Sequence, residues 1–279
     1  MRGGLPGRAG RGGRAARGSG HGRPGLLRSA RIAPRKKSAR WSATTGPGTP
    51  GLAGAGPGRG GARPSLQELR SRLWTAVLCD ALAALGLHQQ IMAPAVRPLD
   101  ESLVLCGRAR TADYKDVYHA DERSDPYELV IALVDGLQRD DVLVLACGKS
   151  GRIHPWGGTQ ATAAAARGAA GCVSDGLVRD VVQIRALGFP SFASGNGAIK
   201  LRGRGRLVAI DVPVQCGGVW VSPGDLVFGD VDGVVVVPRA VETEVIAHAL
   251  ERAELERHIV EELRAGVSVI DLYRKYRMI

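Results

Sequence analysis

The apolar residues of the chain first take on a regular spacing just after Ser65. The positions that follow are spaced for one face of a helix, namely Leu69, Leu73, Val77 and Leu78. Ser65 has Glu68 three residues after it, and this pair forms the capping box that begins many helices. Gly86 is suited to end such a helix. The pattern therefore predicts one amphipathic helix from Ser65 to Gly86.

Beyond residue 100, short apolar runs alternate with amphipathic segments. The runs predict strands near residues 103–111, 142–147, 171–174 and 189–193. The segments between them predict helices at about 126–137, 159–167 and 178–187. Regular alternation of strands and helices indicates an α/β fold with a parallel sheet.

After residue 200 the pattern changes to short β runs separated by Gly, Pro and Asp turns. These runs predict strands at 207–214, 218–221, 226–228 and 234–237, so the second half is β-rich. A charged amphipathic helix follows over about 239–264 and ends at Gly266, and a short helix runs on to Tyr276. The sequence contains no internal repeat of about 20 to 50 residues.

The first 64 residues differ from the rest in composition. They hold 18 Gly and 7 Pro, and we expect this tail to be disordered, with a folded catalytic domain over residues 65–279. Three interpretations of the tail remain open: an organelle transit peptide, an RNA-binding tail of the RGG type, or sequence ahead of the true start. Only the second gives the tail a nucleic-acid partner.

Charge separates the two parts of the chain. Of the 38 basic and 27 acidic residues, 14 basic and no acidic ones lie in residues 1–64. The other 24 basic and 27 acidic residues give the body a net charge of −3, although the whole chain carries +11. The body is therefore not expected to bind nucleic acid.

Cysteine spacing and hydropathy give indications of the cellular compartment of the protein. The five cysteines lie at least 25 residues apart and form no C-x-x-C pair, which favours reduced structural thiols over a zinc site or a secreted disulfide framework. No run of 18 uncharged apolar residues occurs, so no membrane association is expected. We predict a cytoplasmic protein, with organelle import by the tail as the open alternative.

A glycine pair opens the second predicted helix of the α/β part. The sequence there is Trp156-Gly157-Gly158-Thr159-Gln160, followed by an Ala-rich segment. Glycines let a ligand approach the backbone, and the amides and dipole of a helix N-terminus attract a carboxylate or phosphate. The alternative is a tight turn before a close-packed helix. A nucleotide P-loop is excluded, because Leu143 stands where that motif needs a glycine before Gly148-Lys149-Ser150.

The next strand-to-helix junction carries Arg179 and Asp180. Consecutive junctions of this kind end at the same edge of a parallel sheet, so both loops are expected to face one pocket. Arg179 offers a planar fork for a substrate carboxylate, and Asp180 offers hard oxygen ligands to Mg²⁺ or Mn²⁺. The alternatives are a structural ion pair or a carboxylate at a helix start. We interpret Asp175 as a turn or capping residue, and among the isolated histidines only His154, in the loop before Gly157, is of interest for the site.

Several stretches together resemble the RraA-like family. They are WGGTQATAAAARG at 156–168, GCVSDGLVRD at 171–180, GFP at 188–190, CGGV at 216–219, PGD at 223–225 and GDVDGVVVVP at 229–238. The resemblance covers roughly residues 66–279. This family contains 4-hydroxy-4-methyl-2-oxoglutarate aldolases and protein inhibitors of ribonuclease E.

The resemblance implies a fold, an assembly and an activity. The fold is an α/β/α body with a swivelling β/β/α-type core, assembled as a homotrimer or homohexamer. The activity is class II, metal-dependent cleavage of 4-hydroxy-4-methyl-2-oxoglutarate or a related 2-oxo dicarboxylic acid to pyruvate, with oxaloacetate decarboxylation. A non-catalytic inhibitor of a ribonuclease is the alternative.

The resemblance also implies roles for individual residues. Gly157, Gly158, Thr159 and Gln160 bind the pyruvyl carboxylate through their amides, Arg179 holds the substrate, and Asp180 carries a divalent metal, Mg²⁺ or Mn²⁺. The catalytic residues are then Arg179 and Asp180. One position departs from the family, because its aldolases have an acidic residue where this chain has Gly158.

Overall fold

The computed structural model describes residues 63–119 and 125–277. The predicted disordered tail falls almost entirely on residues 1–62, outside this described part. In the described part no helix is both long and apolar enough to cross a membrane. The cysteines at positions 79, 106, 147, 172 and 216 are all unpaired.

Two helices, and not the single one predicted, stand at the start of the described chain. They are α1 (Leu66–Arg72) and α2 (Thr75–Ala84), and the backbone between them is extended. The predicted capping box of Ser65 and Glu68 is present. The break follows from a distant residue, because Asp230 accepts hydrogen bonds from the Thr75 amide at 2.8 Å and the Thr75 hydroxyl at 2.6 Å. Asp230 thus holds the start of α2, which has no side-chain cap of its own.

The predicted parallel α/β arrangement is confirmed. Four parallel strands, β2 (Leu105–Asp116), β3 (Asp141–Ala146), β4 (Gly171–Val178) and β5 (Ser191–Asn196), are neighbours in that order. The helices between them are α3 (Glu128–Asp135), α4 (Gly158–Ala166) and α5 (Val181–Leu187). Strand β4 extends four residues beyond its predicted end, which places Asp175 inside the strand.

The later β runs complete the same sheet. Strand β9 (Leu226–Asp230) pairs antiparallel with the first half of β2, β6 (Gly205–Ile210) pairs with its second half, and β10 (Gly233–Val237) pairs with β9. Strands β7 (Val214–Cys216) and β8 (Val219–Val221) form a separate hairpin. The β-rich second half is therefore an extension of the α/β sheet.

The sheet curls until its two ends nearly meet. The short strand β1 (Arg97–Pro98) pairs with β5 at one end, and Ile91, just before it, bridges to Val235 of β10 at the other end. The result is a mixed α/β fold with a nearly closed, barrel-like sheet.

Hydrophobic side chains fill both the inside and the outside of this sheet. Val142, Val144, Phe192 and Val236 belong to an inner cluster, while α3, α4 and α5 cover an outer cluster around Leu143, Leu145 and Trp156. A third cluster packs α1, α2 and α6 (Glu242–Arg264) against β9 and β10. Helix α7 (Val269–Tyr276) follows α6 and buries only Leu272.

Asp175 links three segments of the chain from inside β4. Its carboxylate is 4% exposed and accepts hydrogen bonds from the Cys147 amide at 2.5 Å and the Gly217 amide at 3.2 Å. The interpretation of Asp175 as a turn or capping residue was wrong, because β4 continues through it. Its side chain instead ties the end of β3 and the turn between β7 and β8 to β4.

Removal of this carboxylate should destabilise the fold. In Asp175→Ala, two buried amides lose their acceptor, so the free energy of unfolding should fall by about 2–4 kcal/mol. Urea unfolding followed by circular dichroism measures this. Asp175→Asn keeps one acceptor oxygen and should lose less, and equal stability of the wild type and the alanine variant would contradict the assigned role.

Candidate functional site

The loop before α4 and the end of β4 lie side by side. Trp156 forms a parallel bridge with Val178, and the Arg179 amide donates to the Trp156 carbonyl at 3.1 Å. This isolated bridge joins the loop before α4 to the end of β4 in the same parallel sense as the sheet. It brings Gly157 and Gly158 next to Arg179 and Asp180, as the two strand-to-helix junctions predicted.

The glycine pair leaves room for the close approach of the second loop. A Cβ atom at Gly157 would lie 2.9 Å from Asp180 Oδ2 and 3.1 Å from Arg179 Cγ, which are shorter than ordinary contacts. A Cβ at Gly158 would lie 3.2 Å from Gln183 Cβ and 3.3 Å from Asp180 Cβ. A larger side chain at position 158, such as the acidic one that the family resemblance implies for aldolases, would require these neighbours to shift.

Asp180 takes an unusual backbone conformation that aims its carboxylate at α4. It begins α5 with φ 59° and ψ 37°, in the left-handed region that Asp tolerates better than most residues. Its side chain does not cap α5. Instead, Oδ2 accepts a hydrogen bond from the Gly158 amide at 3.1 Å. The carboxylate of Asp180 therefore binds the start of α4, and not the start of α5, which Asp180 itself precedes.

Arg179 and Asp180 also form a loose ion pair. Arg179 Nε lies 3.4 Å from Asp180 Oδ2, and the two side chains are 41% and 37% exposed. No hydrogen-bond donor among the described residues reaches Asp180 Oδ1. The pair therefore retains accessible polar groups for a ligand.

The start of α4 has backbone donors for an anion. The first hydrogen bond within the helix runs from the Ala161 amide to the Gly157 carbonyl, so the amides of Thr159 and Gln160 precede the intrahelical ladder. The side chain of Gln160 donates to the Pro155 carbonyl at 3.1 Å, and Thr159 is exposed. These amides, with the helix dipole, favour a bound carboxylate or phosphate.

A cavity of about 550 Å³ opens beside these groups. The residues that line it include Gly157, Thr159, Gln160, Arg179 and Asp180. The predicted site residues other than Gly158 thus line one cavity. Gly158 does not line it, but its amide donates a hydrogen bond to Asp180, which does.

Comparison with known proteins identifies the protein family of this chain. The family model described as RraA-like, Aldolase/RraA, matches residues 75–236, which is more than half of the chain. The chain belongs to the RraA-like family. The match includes both loops of the site.

Individual relatives agree with this assignment. A Halalkalibacterium halodurans protein named "Putative 4-hydroxy-4-methyl-2-oxoglutarate aldolase" is 33% identical over 180 residues, covering 64% of this chain and 79% of that protein. An uncharacterised Methanocaldococcus jannaschii protein is 41% identical over 120 residues, covering 42% of this chain. This chain spans only 56% of the length of that relative.

A solved structure supports the fold. The crystal structure of Streptomyces coelicolor RraAS2, described as an unusual member of the RNase ES inhibitor RraA protein family, superposes with a TM-score of 0.62. It is 29% identical in sequence and covers 71% of this chain and 98% of its own. The RraA-like fold expected from the sequence is thereby confirmed.

One wall of the cavity was missed by the sequence analysis. Helix α3 contributes Tyr127, Val130, Ile131 and Val134, and the sequence analysis assigned no functional role to that helix. A signal was nevertheless present. The helix has apolar residues on more than one face, so that Ile131 is left 55% exposed although Val130 is buried.

His154 also lines the cavity, and one of its two ring nitrogens has no hydrogen-bond partner among the described residues. It is 4% exposed, its Nδ1 lies 3.3 Å from the Arg152 carbonyl oxygen, and its Nε2 is buried without a hydrogen-bond partner among the described residues. A Cβ at Gly197 would lie 2.6 Å from Nε2. Burial lowers the pKa of His154, and the nearby positive charges of Arg204 and Arg179 lower it further.

The lowered pKa of His154 predicts a loss of stability in acid. In the unfolded chain the imidazole titrates near its ordinary value of about 6.5, so below that pH the unfolded state binds the proton more readily than the folded state. The free energy of unfolding should therefore fall as the pH falls through about 6.5. His154→Gln should show a smaller fall.

Urea unfolding at several pH values measures the free energy of unfolding of the wild type and of His154→Gln. NMR titration of the His154 ring measures its pKa directly. A ring that titrates at or above the ordinary value would contradict the assignment.

Proposed function

We propose that this chain is a metal-dependent aldolase that cleaves a 4-hydroxy-2-oxo acid, such as 4-hydroxy-4-methyl-2-oxoglutarate, to pyruvate, and that it decarboxylates oxaloacetate by the same chemistry. The observation that carries the proposal is the convergence of Arg179, Asp180 and the start of α4 on one cavity. Membership in the RraA-like family and the aldolase names of its relatives support the reaction class.

Each group has a place in that reaction. The amides of Thr159 and Gln160 bind the carboxylate of the pyruvyl part, and the guanidinium of Arg179 binds a second substrate oxygen. Cleavage of the bond between C3 and C4 leaves the pyruvyl part as an enolate. The positive charge of Arg179 and the helix dipole stabilise the negative charge that develops there.

Asp180 is the residue we propose to hold a divalent cation. The described residues contain no group of three or more His, Cys, Asp or Glu placed to hold a metal. Asp180 alone would hold Mg²⁺ or Mn²⁺ from the protein side, since Mg²⁺ is commonly held by one or two carboxylates and keeps several waters. When bound, the cation would supply charge that stabilises an enolate. Gly158 orients the carboxylate by its hydrogen bond to Oδ2.

The likeness to RraAS2 supports a second candidate, a protein that binds and inhibits a ribonuclease. Such a protein would need neither a metal nor the carboxylate of Asp180. The proposed assembly, a homotrimer or homohexamer, is common to both candidates, so oligomeric state does not distinguish them.

Replacement of Asp180 tests the aldolase directly. Asp180→Asn keeps a residue that tolerates the left-handed backbone but removes the charge, and pyruvate release should fall by about 100-fold or more. Pyruvate is measured with lactate dehydrogenase and NADH, from 4-hydroxy-4-methyl-2-oxoglutarate and from oxaloacetate, with Mg²⁺ or Mn²⁺ and again with EDTA.

Asp211→Asn is the matched control, because Asp211 is an aspartate with almost the same positive φ, 55°, outside the cavity. It should keep full activity. Turnover that persists in EDTA would contradict the metal dependence. No pyruvate from either substrate, with the protein folded, would favour the ribonuclease-binding candidate.

The close packing of Gly157 gives a second test. In Gly157→Ala the new methyl group would displace Asp180 and Arg179, so kcat/KM for pyruvate release should fall by about tenfold or more. Gly151→Ala, in the same loop, is the control, because a Cβ there meets no atom within 4 Å. Equal activity of the two variants would show that the close packing of Gly157 against Asp180 and Arg179 is not needed.

A further inference from the structure

A second cavity, of about 320 Å³, shares Arg179 and Asp180 with the cavity already described. The end of β5 contributes Asn196, and the two residues that follow it, Gly197 and Ala198, also line this second cavity. The Arg179–Asp180 pair therefore borders two spaces. A ligand held by Arg179 is within reach of both.

The order of the strands determines where this second cavity lies. Val178, directly before Arg179, bridges to Trp156 on one side and is the sheet partner of Asn196 on the other. The Gly197 amide donates to the Val178 carbonyl at 2.9 Å. The start of α4, the end of β4 and the end of β5 therefore follow one another in a row, and every contact that fixes this row lies within one chain.

The spacing of strands sets the length of ligand that can span the row. Neighbouring strands lie about 4.8 Å apart, so the chain at Trp156 and the chain at Asn196 are about 10 Å apart. An extended 4-hydroxy-2-oxo acid measures about 5 Å from its carboxylate to the oxygen on C4, and a hydrogen bond of about 2.9 Å at each end brings the span to about 11 Å. Such a substrate can contact the start of α4 and Asn196 at the same time.

A buried side chain from the loop before α4 packs against the end of β5. His154 is 4% exposed, and Gly197 leaves room for its ring, since a Cβ at Gly197 would lie 2.6 Å from Nε2. Close packing of this kind leaves little freedom of position. It fixes Gly197, and with it the adjacent Asn196, relative to the loop that carries the glycine pair.

Asn196 has the chemistry to bind an oxygen in the second cavity. It is a neutral residue whose side chain forms hydrogen bonds, and the other uncharged residues among the described ones that line this cavity are Val178, Val181, Gly197 and Ala198. A carboxamide both donates and accepts hydrogen bonds. Its NH₂ group suits an oxygen that changes from hydroxyl to carbonyl, as the oxygen on C4 does in an aldol cleavage.

We propose that Asn196 binds the oxygen on C4 of the substrate and that the second cavity receives the C4 part. This inference rests on the proposed aldolase function and deepens it. The start of α4 and Arg179 hold the pyruvyl part in the first cavity. The side chain of Asn196 holds the other end, so that the two contacts together orient the bond between C3 and C4.

The reaction itself is an aldol cleavage. The 4-hydroxyl gives its proton to water, and its oxygen becomes the carbonyl oxygen of an aldehyde or ketone as the bond between C3 and C4 breaks. The electron pair of that bond stays on C3 as the pyruvate enolate, which takes one proton from water to give pyruvate. The amide of Asn196 donates to the C4 oxygen while that oxygen carries negative charge.

Two measurements with Mg²⁺ or Mn²⁺ separate the two ends of the substrate. Pyruvate release from 4-hydroxy-4-methyl-2-oxoglutarate and from 4-hydroxy-2-oxopentanoate requires a bound C4 part. Exchange of the methyl protons of pyruvate in D₂O, followed by NMR, passes through the same enolate but involves no C4 group. The exchange therefore reports on the pyruvyl end alone.

Replacement of Asn196 should affect only the first measurement. Asn196→Leu keeps the size of the side chain but removes its hydrogen bonds, so kcat/KM for pyruvate release should fall by about tenfold or more, and the exchange rate should change by less than about twofold. Asn196→Asp, which loses the donor, should lower release at least as much. Asn196 is exposed, so neither change disturbs the core.

Two further variants bracket this result. Gln215→Leu removes an exposed amide on β7 that lines neither cavity, and it should change neither release nor exchange. Asp180→Asn should lower both, because Asp180 acts on the pyruvyl end.

Each outcome decides between the proposals. Undiminished pyruvate release in Asn196→Leu, or an equal loss of release and exchange, would overturn the inference and leave the aldolase standing. Absence of both reactions in the wild type would overturn the aldolase and the inference with it.

Discussion

The carboxylate of Asp175 is a buried hydrogen-bond acceptor on which the site depends. From the middle of β4 it accepts from the amide that ends β3 and from the turn between β7 and β8. Buried amides of this kind cannot reach water, so their acceptor fixes where each segment runs. Because the loop that carries Gly157 starts just after β3, this link also sets the path of the chain toward the site.

Beyond that link, an isolated parallel bridge joins Trp156 to Val178 at the end of β4. The two loops of the site therefore approach each other as an extension of the sheet, and two adjacent glycines permit the contact. Asp180 completes it by adopting a positive φ and turning its carboxylate to the Gly158 amide. A site built on strand ends in this way is held more rigidly than one built on free loops.

The family assignment and the cavity give different kinds of information. Membership in the RraA-like family establishes the fold, and the relatives of this chain are named as aldolases or as members of a ribonuclease-inhibitor family. Among the described residues, the cavity brings together the backbone donors at the start of α4, Arg179, Asp180 and the apolar side chains of α3.

Sequence alone determined the fold class and the two loops of the site. Alternating strands and helices, the capping box at Ser65, the glycine pair and the Arg179–Asp180 junction are all local patterns, and local patterns are read from neighbouring residues. The structure also placed the predicted loops together, because the edge of a parallel sheet follows from strand order.

Tertiary structure decided what depends on residues far apart in the chain. Asp230 breaks the predicted first helix by accepting a hydrogen bond from Thr75, 155 residues away in the chain. Strand β4 is longer than predicted because β5 pairs with it beyond the apolar run. The direction of the Asp180 side chain and the α3 wall were likewise set by packing between segments. Hydrophobic spacing indicates that a helix has an apolar face, but only the folded chain shows whether that face meets the core or a cavity.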